Sequence, residues 1–159
     1  MEKLNFLGIG PKIAIIMLPW LAVTIVFSSI TKNLFVYTTG SRNFLFIAGI
    51  VLMVPGLIFY FSTVRMLLKG LKETKLMTQG AYSLCRNPLY SAIILIIIPA
   101  LSFLLNSWLV LTTSIVGYIL FKIFIRSEYL ELERFFGEEY LKYQKETPEF
   151  FPFPLKKWF

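Results

Sequence analysis

Two short stretches of an otherwise apolar chain carry most of the side chains able to do chemistry. One reads Gly80-Ala81-Tyr82-Ser83-Leu84-Cys85-Arg86-Asn87-Pro88-Leu89-Tyr90, and the other begins at Glu128 and runs through Phe136, Gly137, Glu138, Glu139, Tyr140 and Tyr143. Asn87 followed by Pro88 is a helix-start signal, an N-cap residue ahead of proline at the first helical position. Free amides at that start, the positive end of the helix dipole and the Arg86 guanidinium together suit a carboxylate or phosphate group. Glu128 lies one or two turns beyond the last apolar residues, where a carboxylate is partly desolvated and needs a cationic partner. Lys122 or Arg126 are partners within the chain, and the ammonium or sulfonium of a bound small molecule is the alternative. Tyr82, Tyr90, Tyr140 and Tyr143 offer ring faces to a cation, or else anchor the chain at a membrane boundary. Glu131, Glu133, Glu138 and Glu139 interleave with Arg134 and Lys142 in the pattern of a solvated helix face.

The missing residue types narrow the chemistry further. Histidine and aspartate are both absent, which removes most histidine-based zinc sites, the Ser-His-Asp triad and the histidine-containing di-iron sets, and no metal site is expected. Catalysis would have to run on Glu, Arg, Lys, Tyr, Asn and backbone. Cys85 is the single cysteine; it forms no internal disulfide and has no histidine to activate it, so it reads as a small residue beside the loop.

These clusters need elements to hold them together, and composition places those elements in a bilayer. Of the 159 residues, 57% are hydrophobic and 16% charged, against about 25% charged in a typical soluble protein. The uncharged windows run from Ile13 to Thr31, Asn43 to Val64 and Asn87 to Phe121, and a span requires roughly 20 helical residues. The third window is too long for one span and barely enough for two, so it is expected to fold as a tight hairpin about Asn106 and Ser107. The expectation is thus an all-α integral membrane protein and one domain, 1–159. Its four spans lie at about 13–31, 43–64, 88–105 and 107–125, followed by a cytoplasmic helix bent near Gly137 and a proline-aromatic tail. Pro19, Pro55 and Pro99 fall inside spans, where bundle contacts re-satisfy the freed carbonyls. Gly8-Ile9-Gly10 reads as a turn before the first span, which is taken as a retained helix and not a removed signal.

Orientation follows from the basic residues. Lys32 and Arg42 lie between the first two spans; the other fourteen of the 16 Lys and Arg fall in the N-terminal arm, the 65–86 connection and the tail. The positive-inside rule puts both termini and that connection in the cytoplasm. The formal net charge of +7 flanks apolar runs without forming a stripe with stacking aromatics, which points to anionic lipid as partner and away from nucleic acid.

The two clusters, joined by an uncharged hairpin, resemble the C-terminal signature of the isoprenylcysteine carboxyl methyltransferase and phospholipid methyltransferase superfamily. That signature looks like Gly-x-Tyr-x-x-x-Arg-His/Asn-Pro-x-Tyr, a hairpin, then Glu-Glu followed by Phe-Gly-x-x-Tyr-x-x-Tyr and a proline-containing tail. Gly80, Tyr82, Arg86, Asn87, Pro88, Tyr90, Glu128, Phe136, Gly137, Tyr140 and Tyr143 match, with Pro148 and Pro152 more loosely, so the likeness covers about 80–152. Asn87 stands at the histidine position, as in many prokaryotic members, and can cap and hydrogen-bond but cannot act as a base. Tyr129 replaces the second glutamate, and Phe124 stands where members often carry an arginine, leaving Arg126 or Lys122 to substitute.

The resemblance implies an S-adenosylmethionine-dependent methyltransferase of a prokaryotic cell membrane. It would methylate a lipid-like acceptor, an isoprenylcysteine-type carboxylate or a related group, at the cytoplasmic face. Arg86, Glu128 and Arg126 would act at the reaction centre, and Gly80, Tyr82, Arg86, Asn87, Pro88, Tyr90, Glu128, Tyr140 and Tyr143 would bind the cofactor. Membrane reductases that bind a nicotinamide cofactor share a related architecture, and a non-catalytic bundle retaining the fold is the third reading. Oligomeric state is left open.

Overall fold

The computed structural model describes residues 8–31, 34–40 and 42–150, and among them it contains helices and turns and no strand. Lys3, Lys32, Pro152, Lys156 and Lys157, which entered the reading of orientation and signature, lie outside the described residues. The helices are α1 (Gly10–Ile30), α2 (Asn43–Glu73), α3 (Ala81–Leu84), α4 (Pro88–Ser91), a π-helical segment (Ala92–Ile97), α5 (Ile98–Leu104), α6 (Trp108–Phe136) and α7 (Glu138–Glu146). Three of these, α1, α2 and α6, are long and apolar enough to cross a membrane, as in a multi-pass membrane protein. The continuous Pro88–Leu104 helix is apolar but shorter.

α2 and α6 run past the expected span ends because the amphipathic sequence beyond each apolar window stays helical. Lys69 and Glu73 pair across one turn of α2 at 3.9 Å, and α6 continues through the glutamate-rich stretch to Phe136, where Gly137 at φ 56° ends it and starts α7. The bend falls at Gly137 as its sequence suggests, since only glycine adopts that backbone freely. Within the Pro88–Leu104 helix, Pro99 has no N–H for the carbonyl of Leu95, and the wider π turn directly before it accommodates the ring.

The helices pack in the order α1, α6, Pro88–Leu104, α2. α2 buries only Gly49, Gly56, Thr63 and Gly70, one small residue every second turn. A Cβ at Gly56 would come within 2.7 Å of Ile96 Cγ2, and one at Gly49 within 2.7 Å of Leu104 Cγ. The seam works by close backbone approach, while Phe44, Ile47, Val51, Ile58 and Phe61 point outward, as lipid-facing side chains do. On the other side Ile9, Ile13 and Met17 join Ile94, Ile98, Leu120, Phe121 and Ile125 in the core.

At the end remote from the two polar clusters, residues 105–107 turn the chain between α5 and α6, with Asn106 at φ 50°. The buried Asn106 side chain donates to Thr38 O (2.9 Å) and accepts from Thr38 N (3.3 Å), the Trp108 N–H donates to Phe35 O, and Ser28 Oγ meets Ser107 Oγ at 2.7 Å. The 34–40 segment is thereby fastened across this end of the bundle.

Candidate functional site

α1 and α2 form no packed interface with each other. The space between them, at the end carrying the polar clusters, is a cavity of about 610 Å³ walled by α1, α2, the Pro88–Leu104 helix, α6 and α7. Of the site residues expected from the sequence, Tyr82, Arg86, Asn87, Pro88, Tyr90, Glu128, Tyr140 and Tyr143 all line it. Residues more than forty positions apart in the chain thus share one wall.

Gly80 and Arg126 are placed elsewhere. Gly80 is the residue before α3, at φ 59° and with Met66 Cε only 2.5 Å from where a Cβ would stand, so its contribution is to backbone shape. Arg126 is exposed, does not line the cavity and makes no ion pair among the described residues. It precedes Glu128 by two positions, roughly 200° around a helix of 3.6 residues per turn, and so falls on the opposite face. Lys122 also turns away from Glu128 and pairs with Glu149 at 2.6 Å.

Glu128 finds its partners in neither of those cations. Its Oε2 accepts from the Ile9 backbone N–H at 3.1 Å and from the Tyr90 hydroxyl at 3.4 Å. Gly8 permits the first bond, because a Cβ there would meet that oxygen at 2.6 Å and because its φ is 50°. The turn expected at Gly8-Ile9-Gly10 is present, and it is also part of the site: Gly8 and Gly10 line the cavity beside Glu128. No charge, motif or periodicity in the sequence marks that contact. The only local signal is the glycine pair.

Asn87 occupies the position before the Pro88 helix, yet its side chain does not cap it. The amide instead donates to Tyr129 Oη at 2.6 Å and to Glu149 O at 3.0 Å, because the chain after α7 returns across this point and supplies better-placed acceptors. Arg86 has its guanidinium carbon 4.9 Å from the centre of the Tyr129 ring. Its Nε and Nη1, and the hydroxyl of Tyr140, are buried atoms that find no acceptor among the described residues.

Tyr140 is 1% exposed. Burial pushes its phenol up to about 12, with the Arg86 charge pulling the other way. Burial likewise raises the phenols of Tyr82, with the Glu128 charge adding to it, and of Tyr143. All three remain neutral donors at ordinary pH, and Tyr143 spends its proton on Tyr82 O at 2.6 Å. The Arg86 side chain also bonds the Tyr140 phenol oxygen, which leaves the Tyr140 proton and the N–H groups on Arg86 Nε and Nη1 without an acceptor among the described residues. Buried donors without an acceptor are costly until one arrives, and together these suit an anion.

Most of the remaining surface of the cavity is apolar, with Thr74, Lys75 and Glu131 also lining it. Ile13, Ala14 and Met17 of α1 face Tyr60, Leu67 and Leu71 of α2 across the gap, and Ile93 and Ile94 form its floor. Among the described residues, no group of His, Cys, Asp or Glu is clustered in a way that could hold a metal ion. Comparison of the chain with protein-family models, with curated proteins and with solved structures found no match.

Proposed function

We propose that this chain is an S-adenosylmethionine-dependent methyltransferase acting on a lipid-like acceptor at the cytoplasmic face of the membrane. Pro88–Leu104 and α6 would be the third and fourth spans, a tight hairpin with both termini of the chain in the cytoplasm. The observation that carries the reading is the pairing of unlike groups on one cavity: the buried Arg86–Tyr140 pair, with donor atoms left without an acceptor among the described residues, at one place and the Glu128 carboxylate at another, beside a largely apolar gap between helices. An amino acid end presents a carboxylate and an ammonium, and the cavity offers a complement to each. A volume of about 610 Å³ lies within the usual range for small-molecule sites, roughly 300–1,000 Å³.

Arg86 and Tyr140 would hold the cofactor carboxylate, Glu128 its ammonium or ribose hydroxyls, and the faces of Tyr82 and Tyr90 a sulfonium. Bound S-adenosylmethionine would supply an electrophilic methyl group. What the protein then contributes is alignment and exclusion of water, because charge is neutralised during an in-line displacement from a sulfonium. An ionised acceptor needs no base, which suits a site without histidine or aspartate. The acceptor's tail would enter through the gap between α1 and α2. From Leu71 to Tyr60 the α2 wall is roughly 16 Å long at 1.5 Å per residue, and it crosses the end of the apolar window at Val64, so it leads from the cytoplasmic surface into the core.

Titration with S-adenosylhomocysteine and with NADPH tests the reading. Saturable binding of S-adenosylhomocysteine alone is expected, together with transfer of labelled methyl from the cofactor into native lipid extract. Binding of NADPH alone would turn the assignment to a reductase, and binding of neither to a non-catalytic bundle.

A further inference from the structure

The Arg86 wall of the cavity is held from behind by a carboxylate to which the proposed reaction gives no part. Residues 147–150 leave α7 and lie across the 86–88 segment. The Arg86 N–H donates to Pro148 O at 2.8 Å, Asn87 Nδ2 donates to Glu149 O at 3.0 Å, and the Phe150 ring meets Phe121 edge-on at 4.6 Å. The Glu149 side chain then reaches two ways. One oxygen accepts from Lys122 Nζ at 2.6 Å, and the other accepts from the Tyr129 hydroxyl at 3.2 Å. That hydroxyl in turn accepts from Asn87 Nδ2 at 2.6 Å, and the Tyr129 ring lies against the Arg86 guanidinium.

The chain of bonds has one direction. An ionised carboxylate only accepts, so Tyr129 must give its single proton to Glu149, which leaves its oxygen lone pairs for Asn87. The ring plane is then tied at its hydroxyl end from two sides. Without the carboxylate the hydroxyl is free to rotate, and the ring loses one of its two ties. The Lys122–Glu149 pair is too exposed, at 47% and 26% of the two side chains, to add much stability by itself. Its consequence is orientation.

We infer that Glu149 is a positioning residue: through the Tyr129 hydroxyl it fixes the ring against which Arg86 lies, and so the direction of the two unpaired Arg86 N–H groups. The position of Arg86 follows from the geometry alone, and only the ligand those groups meet rests on the methyltransferase reading.

The test has a cofactor-free arm and a cofactor arm. Full-length protein in detergent, labelled at arginine nitrogen, gives an Nε–H resonance for Arg86 that Arg86→Lys assigns by its disappearance. Glu149→Ala and Tyr129→Phe are each expected to move that resonance, and Glu149→Gln, which keeps an acceptor for the hydroxyl, to leave it in place. In the cofactor arm, Glu149→Ala and Tyr129→Phe each weaken S-adenosylhomocysteine binding by about tenfold, the worth of one hydrogen bond serving a charged group. The double variant is no weaker than either single one, because both act through the same bond. A merely structural strap would instead give additive losses. An unmoved Arg86 resonance in a folded Glu149→Ala protein overturns the inference; if that variant fails to fold, an unmoved resonance in Tyr129→Phe does so. A moved resonance in a wild-type background that binds no S-adenosylhomocysteine sustains the positioning role and sinks the cofactor assignment instead.

Discussion

Replacing Glu128 by glutamine separates its two tasks. In the folded protein its Oε2 holds the Ile9 N–H at 3.1 Å and the Tyr90 hydroxyl at 3.4 Å. Glutamine retains one carbonyl oxygen that can take the same two donors, so the loss is the charge-assisted part of those bonds. Hydrogen bonds to charged groups are worth about 1.5–3 kcal/mol and neutral ones about 0.5–1.5, a difference of roughly 1 kcal/mol for the bond from Ile9, with little more from the long bond to Tyr90. A thermal shift of about 2–4 °C is therefore expected in detergent for a chain of this length. Cofactor binding loses more, because an ammonium or hydroxyl facing the carboxylate loses its charged partner outright. At about 1.5–3 kcal/mol, S-adenosylhomocysteine should bind roughly tenfold to a hundredfold more weakly. Glu133→Gln, on the exposed face of α6, should change neither quantity. Calorimetry and a melting curve on the same three proteins decide the matter. Equal affinity in wild type and Glu128→Gln, with the melting shift present, would confine Glu128 to anchoring α1 and refute its place in the cofactor site.

In a Cys85→Ala background, Thr39→Cys should be labelled by an impermeant maleimide from outside the cell and Glu139→Cys only from the cytoplasmic side; the reverse pattern would invert the proposed orientation. Gly56→Val drives a branched side chain into Ile96 across a gap with no room for a Cβ, so a loss of about 1–3 kcal/mol in unfolding free energy is expected, whereas an unchanged denaturation midpoint would show that α2 does not pack through this seam. Acceptors sharing one head and differing in tail length should be methylated with increasing efficiency in vesicles as the tail grows, and a tailless soluble acceptor performing equally well would rule out access between α1 and α2.

The polar side of the site could be read from residue types because the chemistry of capping and of charge near a membrane is local. Arg86 beside Asn87-Pro88 announces a helix start whatever the rest of the fold, and the turn at Asn106 and Ser107 follows from counting uncharged residues against bilayer thickness. What those local signals could not give is the partner of each group. Asn87 was expected to cap and instead reaches Tyr129 and Glu149, which lie 42 and 62 positions away. Glu128 was expected to need a cation, either Lys122 or Arg126 or a bound small molecule, and within the chain it meets Tyr90 and Ile9, the latter 119 positions earlier. Arg126 looked close to Glu128 in sequence, and the helical period carries it to the other face. The packing of α2 was hidden for another reason. Its contacts are made by the absence of side chains at Gly49, Gly56 and Gly70, while its largest apolar residues point outward, so hydrophobicity alone suggests the wrong face.

The two ends of α1 explain why the gap beside it sits where it does. Along its length α1 packs on α6 through Ile13, Met17 and their neighbours, and at its start the Ile9 N–H is tied to Glu128. Without it the half-buried carboxylate would keep only the longer bond from the Tyr90 hydroxyl, which is costly. Both contacts use one oxygen of Glu128, and no hydrogen bond to the other is made among the described residues. Any cation drawn to Glu128 must therefore approach the free oxygen beside the very helix that borders the apolar gap. On the proposed reading, a ligand at Glu128 and a lipid tail between α1 and α2 are neighbours by construction, and the methyl group and its acceptor would meet where the polar and apolar walls join.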